Sequence, residues 1–255
     1  MNREVLSSVS GLRLGAFLKV PAMEVTEIFA DAGYDHVVLD LEHSPMSLSE
    51  ASRSIGVGRA RGINVLVRVP SHDPFWFQRC LDSGAAGIVV PHVDTGEQAK
   101  RVMAAARFPP NGTRGVGPTS RQGKWGSSSI AEYMDSGQRQ CVIVQIESKE
   151  AIDSIEEILA AGVDGILVGP ADLSVEMGVA PGSSELTDAR DTVMRASRSA
   201  GVPCGIAAGS AQAARSMHDL GFDFTVVGND LTVLYTGAVA NNPFYQPTLS
   251  TAVRR

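Results

Sequence analysis

One arginine in this chain stands inside an apolar run. In Val65-Leu66-Val67-Arg68-Val69-Pro70 a guanidinium must be satisfied by anions or open onto the mouth of a fold. A second cluster, Asp40, Glu42 and His43, follows another short apolar run, and a carboxylate beside an imidazole can orient it and hold it as a base. His92 and Asp94 follow another such run, Gln145 and Glu147 close one more, and Gly169, Pro170, Ala171 and Asp172 stand at the end of a further one. Glu147 and Asp172 are spaced too widely for a helix pair. Two carboxylates with water or substrate oxygens in the remaining positions nevertheless suit a hard divalent cation such as Mg2+ or Mn2+. The purely structural alternative makes Glu147 a helix cap, Asp172 the opening of the next helix and His43 a satisfied loop histidine.

These residues share a position relative to the elements around them. Short apolar runs recur at 14–20, 36–40, 64–69, 87–91, 141–147, 165–169, 203–207 and 223–228, and their near-continuous hydrophobicity is that of parallel strands covered on both faces. Between them lie segments of helical period, most ending in a glycine suited to terminate a helix. A weak repeat, AGYDHVVLD (32–40), SGAAGIVVP (83–91), AGVDGILVGP (161–170) and LGFDFTVVGND (220–230), joins helix end, turn and buried strand each time. Eight such units in 255 residues predict a single α/β domain, a (β/α)8 TIM barrel over 1–255 with a C-terminal tail at about 241–255. No GxGxxG or GxxxxGK[ST] follows any strand, so a nucleotide-binding sheet has no support. In such a barrel the working groups come from the carboxyl ends of the strands, where the polar residues above fall. The longest irregular stretch, 117–129, reads as an active-site cover.

Composition narrows the partners. With 22 Lys+Arg against 28 Asp+Glu and a net charge of −6, the chain has no basic footprint for nucleic acid. No apolar run is long enough to span a bilayer, the first residues lack a signal-peptide layout, and three widely spaced cysteines form no disulfide scaffold, so a cytoplasmic protein without a membrane partner is expected. Only Lys19, Lys100, Lys124 and Lys149 are lysines. Imine-forming chemistry needs a lysine deep in the barrel; the sixth run, Gly-Ile-Leu-Val-Gly, has none, which leaves Lys19 on the first and Lys149 just past the fifth. Trp76 and Phe77 read as packing residues of a helix or subunit contact.

The motifs DLEHSP (40–45), VRVPSHDP (67–74), LDSGAAGIVVPHVDTGEQA (81–99), PPNGTRGVGP (109–118), VQIESKEAID (144–153) and GVDGILVGPADLSVEMG (162–178) resemble those of the class II pyruvate aldolases typified by 4-hydroxy-2-oxoheptanedioate aldolase and 2-dehydro-3-deoxyglucarate aldolase. The resemblance runs from about residue 14 to about 235. It implies a homo-oligomer, a hexamer, acting on a small 2-oxo acid and an aldehyde with a divalent metal cation (Mg2+, Mn2+ or Co2+). It further implies Glu147 and Asp172 as metal ligands, His43 as acid/base residue, Arg68 beside the substrate oxo group, and backbone from Gly169 through Pro170 and Ala171 to Asp172 holding the pyruvate carboxylate, with Gln145 in the same substrate set. Asp82 is placed to partner the histidine, and Asp40 is the second candidate. Other members of the wider barrel group leave two alternatives open: a metal-dependent lyase or synthase using the same enolate, or a non-catalytic barrel that binds a 2-oxo acid. The loop 124–134 and the tail 241–255 transfer least, so the aldehyde is open.

Overall fold

Strands buried on both faces need a sheet with a filled inside and a helical outside, and the computed structural model, which describes residues 13–245, has that arrangement. Eight parallel strands, β1 (Arg13–Leu18), β2 (His36–Asp40), β3 (Asn64–Arg68), β4 (Gly87–Val90), β5 (Cys141–Ile146), β6 (Gly165–Val168), β7 (Cys204–Ala208) and β8 (Phe224–Asn229), pair in chain order and close β8 onto β1. The eight apolar runs are these eight strands, and the chain is a single (β/α)8 barrel. Readings made on the first twelve residues and on the end of the tail, 246–255, lie outside the described residues.

The helices are α1 (Met23–Asp31), α2 (Leu48–Arg61), α3 (Pro74–Asp82), α4 (Gly96–Ala106), α5 (Ile130–Gln138), α6 (Lys149–Asp153), α7 (Ile155–Ala160), α8 (Pro170–Glu176), α9 (Ser184–Ser199), α10 (Ala211–Leu220) and α11 (Asp230–Ala240). Their starts follow local chemistry. Ser47 with Glu50, Thr95 with Gln98 and Ser129 with Glu132 form capping boxes, while Asp73 caps α3 ahead of Pro74. Gly62 ends α2 in the left-handed region at φ 77°, which a side chain would oppose. The segment 148–162 divides at Ser154, which serves as the end of α6 and the start of α7.

Two cores result. Val38, Leu66, Val89, Ile143, Leu167 and Phe224 fill the inside of the barrel, and the alternate residues, among them Val37, Val65, Ile88 and Val144, pack against the helices. Phe224 and the buried His36 occupy the strand-start end; a Cβ at Gly15 would lie 2.1 Å from His36 Nε2, so glycine is required there. Burial pulls His36 down to about 4.

The 117–129 stretch corrects one expectation. It follows α4, which returns the chain to the strand-start end, so it lies beneath its own barrel and does not cover its own mouth. Gln122 N–H donates to the carbonyl of Asp82, at the end of α3, at 3.0 Å. Phe77 is fully buried and Trp76 packs on the same core, as the packing reading has it.

Candidate functional site

Alternation along the strands selects the side chains that reach the mouth. Val38 and Asp40 on β2, and Leu66 and Arg68 on β3, share the inward face, and the register sets Asp40 opposite Arg68. Arg68 Nε donates to Asp40 Oδ1 at 3.0 Å and Nη2 to Oδ2 at 2.8 Å. Lys19, just beyond β1, brings Nζ to 2.7 Å from the same Oδ2, and the backbone N–H groups of Glu42 and His43 donate to Oδ1 at 3.2 and 3.1 Å. Burial by itself would raise the pKa of Asp40, but Arg68, Lys19 and the His43 amide outweigh it and pull the carboxyl down to about 2. Asp40 is therefore an anion at any working pH.

The same arginine opens onto a cavity. Its Nε also lies 3.2 Å from Glu42 Oε2, its Cζ sits 4.6 Å over the ring of Phe17, and Nη1 makes no hydrogen bond to protein among the described residues. Arg68 lines a pocket of about 300 Å3 together with Phe17, Gln145, Gly169, Pro170, Ala171 and Asp172. The first-turn amides of Ala171 and Asp172 in α8 have no intrahelical carbonyl to bond, which makes this edge of the pocket an anion acceptor.

Glu147 is buried one residue past β5. Its Oε1 accepts the backbone N–H of His92 at 2.8 Å and lies 2.8 Å from His92 Nδ1, while Oε2 accepts from the Gln145 carboxamide. His92 Nε2 is 3.1 Å from Glu42 Oε1, so one imidazole spans two glutamates. The backbone that allows this has φ 53°, unusual for a residue with a Cβ. Burial raises the pKa of Glu147 and the charge of Asp172 adds to it, against the hydrogen bonds and charge of His92 and the Gln145 bond. The charge of Asp172, which lines the pocket, thus reaches the buried carboxyl of Glu147. Gln145 Oε1 is buried there without a partner, and a Cβ at Gly169 would sit 3.4 Å from Glu147 Oε2. This donor set fits a hard cation held by two protein carboxylates. Among the described residues no group of three or more His, Cys, Asp or Glu is arranged to hold one, so further positions would fall to water or substrate oxygens.

His43 lies on the rim. Its side chain is 57% exposed, with Nε2 3.7 Å from Glu42 Oε2. Asp82 is elsewhere: α3 carries it to the strand-start end, where Arg114 Nη2 donates to Oδ1 at 2.7 Å and Tyr133 OH at 2.8 Å. Among the described residues of one chain it has no contact with His43; Asp40 accepts the backbone amide of His43, and the carboxylate facing its imidazole is that of Glu42. Lys149 points outward and pairs with Asp153 at 3.1 Å. Sequence reasoning gave no role to His92 or to Asp230, whose carboxylate accepts the backbone N–H of Lys19 at 3.0 Å and of Val20 at 2.8 Å. Lys19, a candidate imine-forming amine by sequence, continues the inward series Gly15, Phe17, Lys19 and is an ion-pair partner of Asp40.

Known proteins share this chain's sequence family and its fold. The family profile described as HpcH/HpaI aldolase/citrate lyase matches residues 13–236. A hydroxypyruvate/pyruvate aldolase from Roseovarius nubinhibens is 35% identical over 228 residues, 88% of each chain. A 2-keto-3-deoxy-L-rhamnonate aldolase from Escherichia coli K12 is 34% identical over 234 residues, covering 89% of this chain and 86% of its own. Among solved structures, an HpcH/HpaI aldolase/citrate lyase family protein from Burkholderia cenocepacia superposes with a TM-score of 0.86 at 31% identity, over 93% of this chain and 96% of its own.

Proposed function

The chain belongs to the HpcH/HpaI aldolase/citrate lyase family and is a carbon–carbon lyase of the aldolase type; from that premise we propose that it cleaves, reversibly and with a divalent cation, a 4-hydroxy-2-oxo acid to pyruvate (or a close 2-oxo acid) and an aldehyde. The observation that carries this reading is the clamped guanidinium of Arg68, two of its nitrogens engaged by Asp40 and the third free at the pocket.

Breaking the bond between C3 and C4 leaves an electron pair on the 2-oxo acid that must be accommodated as negative charge on the 2-oxo oxygen. Glu147 and Asp172 would hold a divalent cation such as Mg2+, Mn2+ or Co2+, which would supply Lewis-acid stabilisation of that charge. Arg68 Nη1 donates to the same oxygen and, being held by Asp40, needs no reorganisation as charge develops. The first-turn amides of α8 at Ala171 and Asp172 receive the substrate carboxylate, and Gln145 closes the pocket beside them. His43 removes the proton from the 4-hydroxyl on cleavage and returns it on synthesis, its turn fixed by the bond from its amide to Asp40.

Two features support a homo-oligomer, the hexamer implied by the family resemblance. Leu231, Val233, Leu234 and Tyr235 on α11 are 48%, 57%, 65% and 61% exposed, an apolar surface that the described residues of one chain leave uncovered. Asp82 carries a carboxylate with no partner role at its own mouth. No described helix is long and apolar enough to cross a membrane. The three buried cysteines fit the cytoplasm that we propose as the compartment. A panel of aldehydes offered with pyruvate and with hydroxypyruvate, each with and without added cation, tests the reaction. Cation-dependent aldol product is expected for at least one pairing, and 2-oxo-acid binding without product in every pairing would make the barrel a binding protein.

A further inference from the structure

We propose that Lys19 is a positioning residue of the aldol site: by sharing Asp40 with Arg68 it keeps the guanidinium's Nη1 turned to the substrate oxygen. The inference rests on the reading of Arg68 given above. Arg68 alone faces two carboxylates, Asp40 through bonds of 3.0 and 2.8 Å and Glu42 at 3.2 Å. A single guanidinium between two anions would have its field at the pocket cancelled and its third nitrogen drawn toward them. Lys19 supplies the second positive charge. Its Nζ lies 2.7 Å from Asp40 Oδ2 and donates to the carbonyl of His43 at 3.3 Å, so one ammonium ties β1 to the turn that carries both Asp40 and His43.

The placement of Lys19 is itself built. Asp230, 4% exposed, accepts the backbone N–H of Lys19 with both carboxylate oxygens, each at 3.0 Å, and that of Val20 at 2.8 Å. The backbone beyond β1 is thus held while the side chain continues the inward series after Phe17, leaving Lys19 only 20% exposed. Its Nζ is committed to a carboxylate and a carbonyl oxygen, which is the geometry of a fixed charge and not of an amine awaiting a carbonyl carbon.

The test is exchange of the C3 protons of pyruvate in heavy water by the intact, cation-loaded enzyme, read as kcat and KM. Lys19→Met is expected to lower kcat by about 10- to 100-fold, a part of the usual cost of a lost oxyanion donor, and to leave the pyruvate KM within about threefold. Lys19→Arg should recover most of the rate. In an Arg68→Ala background Lys19→Met should cost less than about threefold more, because Lys19 acts through the residue already removed. Melting curves check each fold, and the Lys19→Arg and Arg68→Ala arms keep the comparison readable if Lys19→Met is less stable. Unchanged exchange in Lys19→Met beside an impaired Arg68→Ala would overturn the inference alone, as would losses that multiply in the double variant or a borohydride-trapped adduct on Lys19. Unchanged exchange in Arg68→Ala would overturn the reading of Arg68 together with it.

Discussion

Asp40 and Arg68 are partners twice over: they stand opposite one another on the last rung of the β2–β3 ladder, and their side chains close two hydrogen bonds of 3.0 and 2.8 Å on the inward face. Register, alternation and charge agree at that rung, so the guanidinium is fixed before any substrate arrives. Arg68→Ala should lower turnover on the order of 10² to 10³, the usual cost of one preformed donor to a developing oxyanion. Arg68→Lys should rescue poorly, because an ammonium lacks the planar fork that Asp40 grips on two nitrogens. Steady-state cleavage rates of the folded variants decide this, and near-parental rates for Arg68→Ala would remove the assigned role.

His43 should be needed for proton movement and not for cation binding. His43→Ala is expected to impair cleavage and synthesis together, to change the pH–rate profile, and to leave cation affinity within a few-fold by calorimetric titration. A variant with unchanged rate and profile would move the acid/base duty elsewhere.

His36 makes the pH dependence of stability predictable. It is fully buried inside the barrel, and desolvation holds its folded pKa at about 4 against an ordinary 6.5. Between those values the unfolded chain takes up a proton that the folded chain refuses, so stability falls as pH drops from 6.5 toward 4, with a slope from this residue of up to ~1.4 kcal/mol per pH unit, and flattens below. Urea-unfolding free energies across that range should show a shallower slope for His36→Leu than for the parent. Identical slopes would mean that His36 is not the titrating group.

The barrel is legible in the sequence because its strands are short, apolar and separated by helices with clear ends, and the mouth is legible because polar residues interrupt those runs at their carboxyl ends. Arg68, Asp40, Gln145, Glu147 and the 169–172 turn fall together for that reason. What stays hidden depends on which end of the barrel a segment reaches. The 117–129 stretch looks like a mouth loop until α4 is seen to have already carried the chain to the opposite end, where α3 has also placed Asp82 within its own chain. The helix α5 has a readable start in Ser129-Ile130-Ala131-Glu132, but the serine-rich approach masks it. His92 escapes because a left-handed backbone turns it between Glu42 and Glu147, which neither periodicity nor spacing expresses.

On the reading proposed above, an enolate of a 2-oxo acid forms beside Arg68, and a cation held by Glu147 and Asp172 would stabilise it. Proton exchange at C3 of pyruvate, followed by nuclear magnetic resonance in heavy water, reports that step without any aldehyde. Exchange should stop when the enzyme is stripped with excess chelator and return on addition of Mg2+, Mn2+ or Co2+. Undiminished exchange in excess chelator would rule out cation-assisted enolate formation and point to an imine on a lysine.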